Sequence, residues 1–261
     1  MDIRIKKIIT IALVAFLAVL TFQTRAANNI QPALDPIPPV TAHVLVYHNV
    51  RPITKTMSRE TKLYTVSPEV FENELLYLKD AGYHIVSLND LSSSAEGKLT
   101  LPSKTVVITF DDGWENQYTY AFPLLKKYNA TATFFIYTNT PGHSNYMTWD
   151  QIRELNAAGM TIGSHSKSHP YLTLITNLSE LEKEIFGSKE KIETELGKEI
   201  YSFSYPFGLY NRSLGLQVKE AGYKHGRLFG GGMYRQGDSL FAIKSVFVNG
   251  NLANFKKQIT Y

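Results

Sequence analysis

From about residue 42 onward, short runs of β-branched and aromatic residues alternate with longer amphipathic stretches that end on Ala-Gly or a similar break. Thr105-Val-Val-Ile-Thr-Phe110 is apolar through its interior, the pattern of a strand buried on both faces in a parallel sheet. Residues 43–47, 84–88, 131–137, 160–163 and 200–204 read as further strands. Between them, Ser67-Pro68-Glu69 has the form of a helix start, followed by Phe71, Leu75 and Leu78 on one face and a stop at Gly82. Thr148-Trp-Asp-Gln151 offers a capping box, and Asn177 or Ser179 starts a long helix that ends near Gly197. Strands alternating with helices of this length imply right-handed parallel crossovers, hence a doubly wound sheet or a barrel. The count of about seven units predicts an α/β fold of the second kind. It is a distorted, incomplete (β/α) barrel, short of the regular eightfold ring.

The polar residues then acquire positions. Asp111 and Asp112 follow the central strand directly, and a carboxylate pair there is costly unless a cation or a proton is shared. Asp-Asp-Gly113 is therefore either a tight turn or a metal and proton-transfer site. His48 follows the first strand, His165 and His169 follow 160–163, and Tyr205-Pro206-Phe207-Gly208 follows 200–204. All stand at the C-terminal ends of strands, which in a parallel barrel meet on the face where active sites are built. His165-Ser-Lys-Ser-His169 has the spacing of one helical turn, although the preceding strand and Pro170 favour a loop. Such a pair is often structural or solvated. With an acid alongside it becomes two imidazoles and a carboxylate, leaving open positions on a divalent ion, zinc being the expected one. A structural zinc would call for a fourth ligand, usually cysteine, and the chain has none.

Composition changes the picture mainly at the N-terminus. Residues 1–7 are basic, 8–20 are apolar and Thr24-Arg25-Ala26 suits a signal peptidase, so 1–26 reads as an export signal cleaved near Ala26. The apolar run is shorter than a typical span, which argues against the alternative of a retained anchor. Pro32, Pro36, Pro38 and Pro39 make 27–41 an extended linker, with the folded domain over 42–261. The expected destination is periplasmic, secreted or at the cell surface, with loose association to membrane or cell wall left open. The absence of cysteine excludes disulfides, thiol nucleophiles and a lipid-modified N-terminus. Although the net charge is +4, the basic residues form no run longer than a pair, and no nucleic-acid partner is expected.

Three segments now carry a resemblance. Thr109-Phe-Asp-Asp-Gly113, Ser164-His165-Ser-Lys-Ser-His169-Pro170 and Phe203-Ser-Tyr-Pro206-Phe-Gly208 resemble, in order and spacing, the first motifs of the polysaccharide deacetylases. These are the NodB-homology enzymes of carbohydrate esterase family four, and the match covers about 44–248. The resemblance implies a distorted (β/α) barrel, Asp111 as catalytic base, and Asp112, His165 and His169 as holders of one divalent metal ion. Two positions depart from the pattern. Ser204 stands where many members have an arginine that braces the base, and Ser245 stands where many have the histidine that serves as acid. Tyr47-His48 is instead similar to the branch that de-N-acetylates poly-β-1,6-N-acetylglucosamine, in which the acid motif lies on the N-terminal side; this assigns His48 the acid role.

The implied function is metal-dependent removal of N-acetyl groups from an extracytoplasmic aminosugar polysaccharide of that kind, with release of acetate. The alternatives are a peptidoglycan or O-acetyl polysaccharide deacetylase, and a non-catalytic glycan-binding protein on the same fold. The chemistry needs an activated water, a charge sink for the oxyanion and a proton for the leaving amine. Asp111 serves the first and His48 the last, while the Phe207 amide is a candidate oxyanion donor. Tyr205, Pro206 and Phe207 are the expected substrate loop. Tyr205 and Trp114 are candidates for stacking on sugar, and His143, in the loop 140–147, is a candidate for substrate contact. His43, His84 and His225 are read as structural.

Overall fold

A computed structural model describes residues 39–260. The expected export signal, and the linker up to residue 38, lie outside the described residues. Seven strands form a ring: β1 (Thr41–Tyr47), β2 (Thr105–Phe110), β3 (Thr133–Ile136), β4 (Thr161–Ser164), β5 (Ser202–Ser204), β6 (His225–Gly231) and β7 (Ile243–Phe247). All ring pairings are parallel. The six-residue ladder between β1 and β2, from Ala42↔Thr105 to Tyr47↔Phe110, closes the barrel. The ring is thus one unit short of eight, and its distortion lies in particular joints. Between β4 and β5 there is one registered pair, Ser164↔Phe203, and the register of β6 against β7 shifts between Ile243 and Ser245. Two short strands flank the ring: His84–Ile85 parallel to β2, and Tyr234–Arg235 antiparallel to β1.

The helices are α1 (Arg59–Leu63), α2 (Pro68–Asp80), α3 (Leu88–Ala95), α4 (Phe122–Lys127), α5 (Trp149–Ala157), α6 (Leu178–Leu196), α7 (Arg212–Glu220) and α8 (Leu252–Gln258). Their ends follow local chemistry. Ser67 caps α2, Thr148 and Gln151 make a reciprocal capping box on α5, and Asn177 caps α6, which ends on left-handed Gly197. The strand expected over 84–88 stops at Ile85, because Ser87 and Asp90 exchange hydrogen bonds of 3.0 Å as a second capping box. That exchange satisfies donors of the first helical turn, so Leu88 opens α3 instead of extending the strand.

Side-chain alternation divides the core in two. Val106, Ile108 and Phe110 of β2 join the large cluster beneath the helices, with Leu45, Tyr47, Phe71 and Phe134. The opposite parity, Val44 and Val107 with Phe135 and Ile243, fills the ring, and Leu88 and Leu91 of α3 pack against it. The interior is narrow: a Cβ on Gly163 would lie 2.7 Å from the Phe135 ring. Parity also positions the chemistry. Counting from Val107 through Thr109, Asp111 falls on the interior side at the C-terminal mouth of the barrel.

Candidate active site

At that mouth Asp112, His165 and His169 each present a ligand atom, all within 4.8 Å of one another. The two imidazole Nε2 atoms are 3.2 Å apart, and Asp112 Oδ1 lies 3.6 Å from His165 Nε2 and 3.7 Å from His169 Nε2. Bonds of about 2.0–2.1 Å to one tetrahedral ion would separate ligand atoms by roughly 3.4 Å, so the three fit a single zinc-like cation. The tautomer agrees. His165 Nδ1 lies 2.8 Å from the Ser204 carbonyl, which can only accept, so Nδ1 carries the proton and Nε2 keeps its lone pair. Burial drives the His165 pKa down to about 3 and lowers that of His169, keeping both rings neutral as ligands require.

Backbone conformation aims these groups. Asp112 and His169 both have positive φ, 75° and 58°. The turn leaves Asp111 and Asp112 facing different partners although they are adjacent in sequence. The Trp114 indole N–H donates to Asp112 Oδ2 at 3.0 Å, leaving Oδ1 for the cluster. Trp114 in turn stacks on Tyr146, with ring centroids 4.4 Å apart. Burial and the Asp111 charge push the Asp112 carboxyl up in the absence of a cation, partly opposed by His48. A divalent ion would compensate that desolvation.

Asp111 lies outside the ligand set, its Oδ2 at 3.9 Å from His165 Nε2. It is 3% exposed. Burial by itself would raise its pKa, but the Arg227 guanidinium, helped by His165 and His48, holds it below the ordinary value. Arg227 Nη2 donates both to Asp111 Oδ1 and, at 2.5 Å, to Ser204 Oγ. Ser204 and Arg227 are cross-strand partners in the β5–β6 register. The arginine that the sequence pattern lacks at 204 is therefore supplied from the neighbouring strand, and the small Ser204 side chain accepts from it. Sequence reading missed Arg227. The available signal was an arginine in a run, 225–231, that alternates into a strand beside the departing position.

Gln117 links the loops that carry His48 and Asp111: its Nε2 donates to the His48 carbonyl at 2.7 Å and to the Asp111 carbonyl at 2.6 Å. It begins a π-helical turn, Gln117–Ala121, a local irregularity of the kind frequent at functional sites. The His48 ring sits among Tyr64, Phe229 and Phe247, with centroids 5.0, 5.7 and 6.0 Å away, and its buried Nδ1 has no hydrogen-bond partner among the described residues. A cleft of about 650 Å³ is lined by His48, Asp111, Asp112, His165 and His169, together with Trp114, Tyr171 and Phe207.

Other expected residues are placed differently. Tyr205 reaches the cleft lining, but its ring is 1% exposed and its hydroxyl donates to the Phe241 carbonyl at 2.9 Å. It offers no free face for stacking a sugar and braces the loop instead. Pro206 is buried, while Phe207 projects outward from left-handed backbone at φ 58°. The Phe207 amide is left out of the two turn bonds, Gly208 N to Tyr205 O and Leu209 N to Pro206 O. His143 is exposed in a turn closed by its own N–H to Thr140 O, and it is absent from the cleft lining. Trp114 lines the cleft as a support for Asp112. Ser245 is consumed structurally, donating to Leu228 O at 2.7 Å and accepting from Gly230 N at 3.0 Å.

Comparison with known proteins places these features in a wider group. A sequence pattern described as polysaccharide deacetylase matches residues 98–226. The chain is 30% identical over 207 residues to the poly-beta-1,6-N-acetyl-D-glucosamine N-deacetylase of Staphylococcus aureus (strain MRSA252), covering 71% of each. Among solved structures it resembles the Streptococcus pyogenes deacetylase PplD in complex with acetate, at TM-score 0.77 and 26% identity, over 85% of this chain and 100% of that one. BC0361, a polysaccharide deacetylase from Bacillus cereus, follows at TM-score 0.74 and 27% identity, over 85% of this chain and 70% of that one.

Proposed function

The chain belongs to the polysaccharide deacetylase family, and from that premise we propose that it is a metal-dependent carbohydrate N-deacetylase. Its substrate is an extracytoplasmic aminosugar polymer of the poly-β-1,6-N-acetylglucosamine type, and its product is acetate. The observation that carries this reading is the division of labour between adjacent acids. Asp112 faces the two histidines, whereas Asp111 is buried, held charged by Arg227 and left free of the cluster. A binding protein has no use for that second carboxylate.

Asp112, His165 and His169 would hold the cation. When bound, such an ion supplies a lowered pKa for water and polarisation of the acetyl carbonyl. Asp111 accepts the proton of the attacking water, and Arg227 keeps its carboxylate ionised and pointed at the cleft. The Phe207 amide, left out of the loop's turn bonds, would serve the developing oxyanion as a backbone donor. His48 delivers a proton to the departing amine, without which an amide nitrogen is a poor leaving group. Export through the 1–26 segment would bring the domain to its polymer.

The test is acetate release from β-1,6-linked N-acetylglucosamine oligomers by the metal-loaded protein, with Asp111→Asn as control. Release that the substitution abolishes supports the reading. Release only from O-acetylated polymers, with none from the N-acetylated oligomers, would replace it with the esterase alternative.

A further inference from the structure

Beyond the reacting groups, the cleft carries a feature that folding does not account for. Tyr171 and Phe207 are stacked aromatic rings at its mouth, with centroids 4.1 Å apart and planes within 10°. Both are left in water, at 50% and 47% exposure. Phe207 also stands edge-on to the ring of His169, with centroids 4.6 Å apart, so the ledge begins at the ligand cluster and runs outward. The Phe207 backbone is left-handed at φ 58°, a conformation that a bulky side chain keeps only when its surroundings impose it. An exposed ring on strained backbone gains little from packing and points to a ligand. No hydrogen bond within the described chain uses the Tyr171 hydroxyl.

We propose that Tyr171, backed by Phe207, is the floor of a saccharide subsite that stacks the sugar ring next to the one being deacetylated. This subsite makes the protein select chains over single sugars. A β-linked glucosamine ring with equatorial substituents presents flat C–H faces, which suit an aromatic surface, and its hydroxyls lie at the rim. The cleft has polar groups for such a rim in Arg51, Glu60 and Thr61. The subsite deepens the proposed function and rests on it for the kind of polymer. The sugar-stacking role itself rests on the ledge.

The experiment separates the two. A β-1,6-linked N-acetylglucosamine hexamer and the monomer are titrated calorimetrically into metal-loaded Asp111→Asn protein, so that ligand is not consumed. The hexamer should bind at least tenfold more tightly than the monomer. Tyr171→Ala should weaken hexamer binding roughly tenfold, equivalent to about 1.4 kcal/mol, and Tyr171→Trp should preserve it. With Asp111 intact, Tyr171→Ala should reduce the hexamer-to-monomer ratio of kcat/KM by a similar factor. Equal affinity for hexamer and monomer, or a Tyr171→Ala protein within twofold of its parent on the hexamer, overturns the proposal. If the hexamer binds through Tyr171 but the parent protein releases no acetate, the subsite stands and the catalytic reading falls.

Discussion

Replacing Arg227 with methionine tests the brace on Asp111, the proposed base. Arg227 is 1% exposed and Asp111 3%, so the substitution would leave a carboxylate buried beside neutral surroundings. Removing one partner of a buried pair costs on the order of 3–5 kcal/mol, because the other charge is left uncompensated. The pKa follows the same logic. Burial raises Asp111 and the guanidinium is the largest influence lowering it, so without Arg227 the burial contribution dominates and the carboxyl pKa rises. Stability from a depressed carboxyl pKa is present above the unfolded value and lost as pH falls through the folded one. The variant should lose that contribution, with its deficit greatest near neutral pH. The acid limb of kcat/KM should move to higher pH, with activity near neutrality down roughly a hundredfold or more as the base is neutralised or displaced. Denaturant melts and a pH–rate profile on an N-acetylated oligomer measure both effects. Asp111→Asn combined with Arg227→Met should recover part of the lost stability but none of the activity. Exchanging the pair, Ser204→Arg with Arg227→Ser, should restore some turnover, because both side chains start from registered strand positions. An Arg227→Met protein with an unshifted acid limb and activity within a few-fold of the parent would refute the brace.

Five further outcomes can be measured separately. His165→Ala should lose bound divalent metal by elemental analysis along with turnover, and Trp114→Phe should weaken metal affinity roughly 10–100-fold through the released Asp112 oxygen. His48→Ala should keep its metal yet lose about a hundredfold on an amide, and less on an activated ester whose leaving group needs little protonation; normal amide turnover would end the acid assignment. Glu74, buried against the Tyr47 hydroxyl at 3.0 Å, has its pKa raised by burial to about 8. The folded state therefore holds a proton that the unfolded state releases, and stability falls as pH rises from the unfolded carboxyl value towards 8. Glu74→Gln should flatten that decline, with a relative gain of a few kcal/mol at most, visible as a melting temperature less sensitive to pH. Finally, if residues 1–26 act as an export signal, mass spectrometry of the extracytoplasmic fraction should find a mature N-terminus near Ala27, whereas intact Met1 in the membrane fraction would favour the anchor.

Much of the barrel was legible because its information is local. Apolar runs such as Thr105–Phe110 and caps such as Ser67, Thr148 and Asn177 announce strands and helix starts within a few residues. The placement of His48, Asp111, Asp112, His165 and His169 at strand ends follows from the parallel topology. Local signals also compete. Residues 84–88 carry a strand-like run, but the Ser87–Asp90 capping box begins inside it and wins after Ile85. For Tyr205, an aromatic beside a catalytic loop does not reveal whether its ring turns to solvent or to the core. Gly226 decides that, because a Cβ there would lie 2.7 Å from the Tyr205 hydroxyl.

The support of the base was hidden for a different reason. Position 204 read alone is a missing arginine, and position 227 read alone is an arginine in a strand. They become one unit only through the parallel register Ser204↔Arg227, a relation between residues 23 apart that no periodicity encodes. The exchange is physically permitted because both positions alternate inward at the same height of the barrel. A guanidinium launched from either strand can reach Asp111, provided that the partner strand contributes a side chain small enough to leave room and polar enough to accept a donor. Serine meets both conditions. The departure at 204 and the cation at 227 are therefore two halves of one arrangement that keeps the Asp111 carboxylate charged inside the barrel.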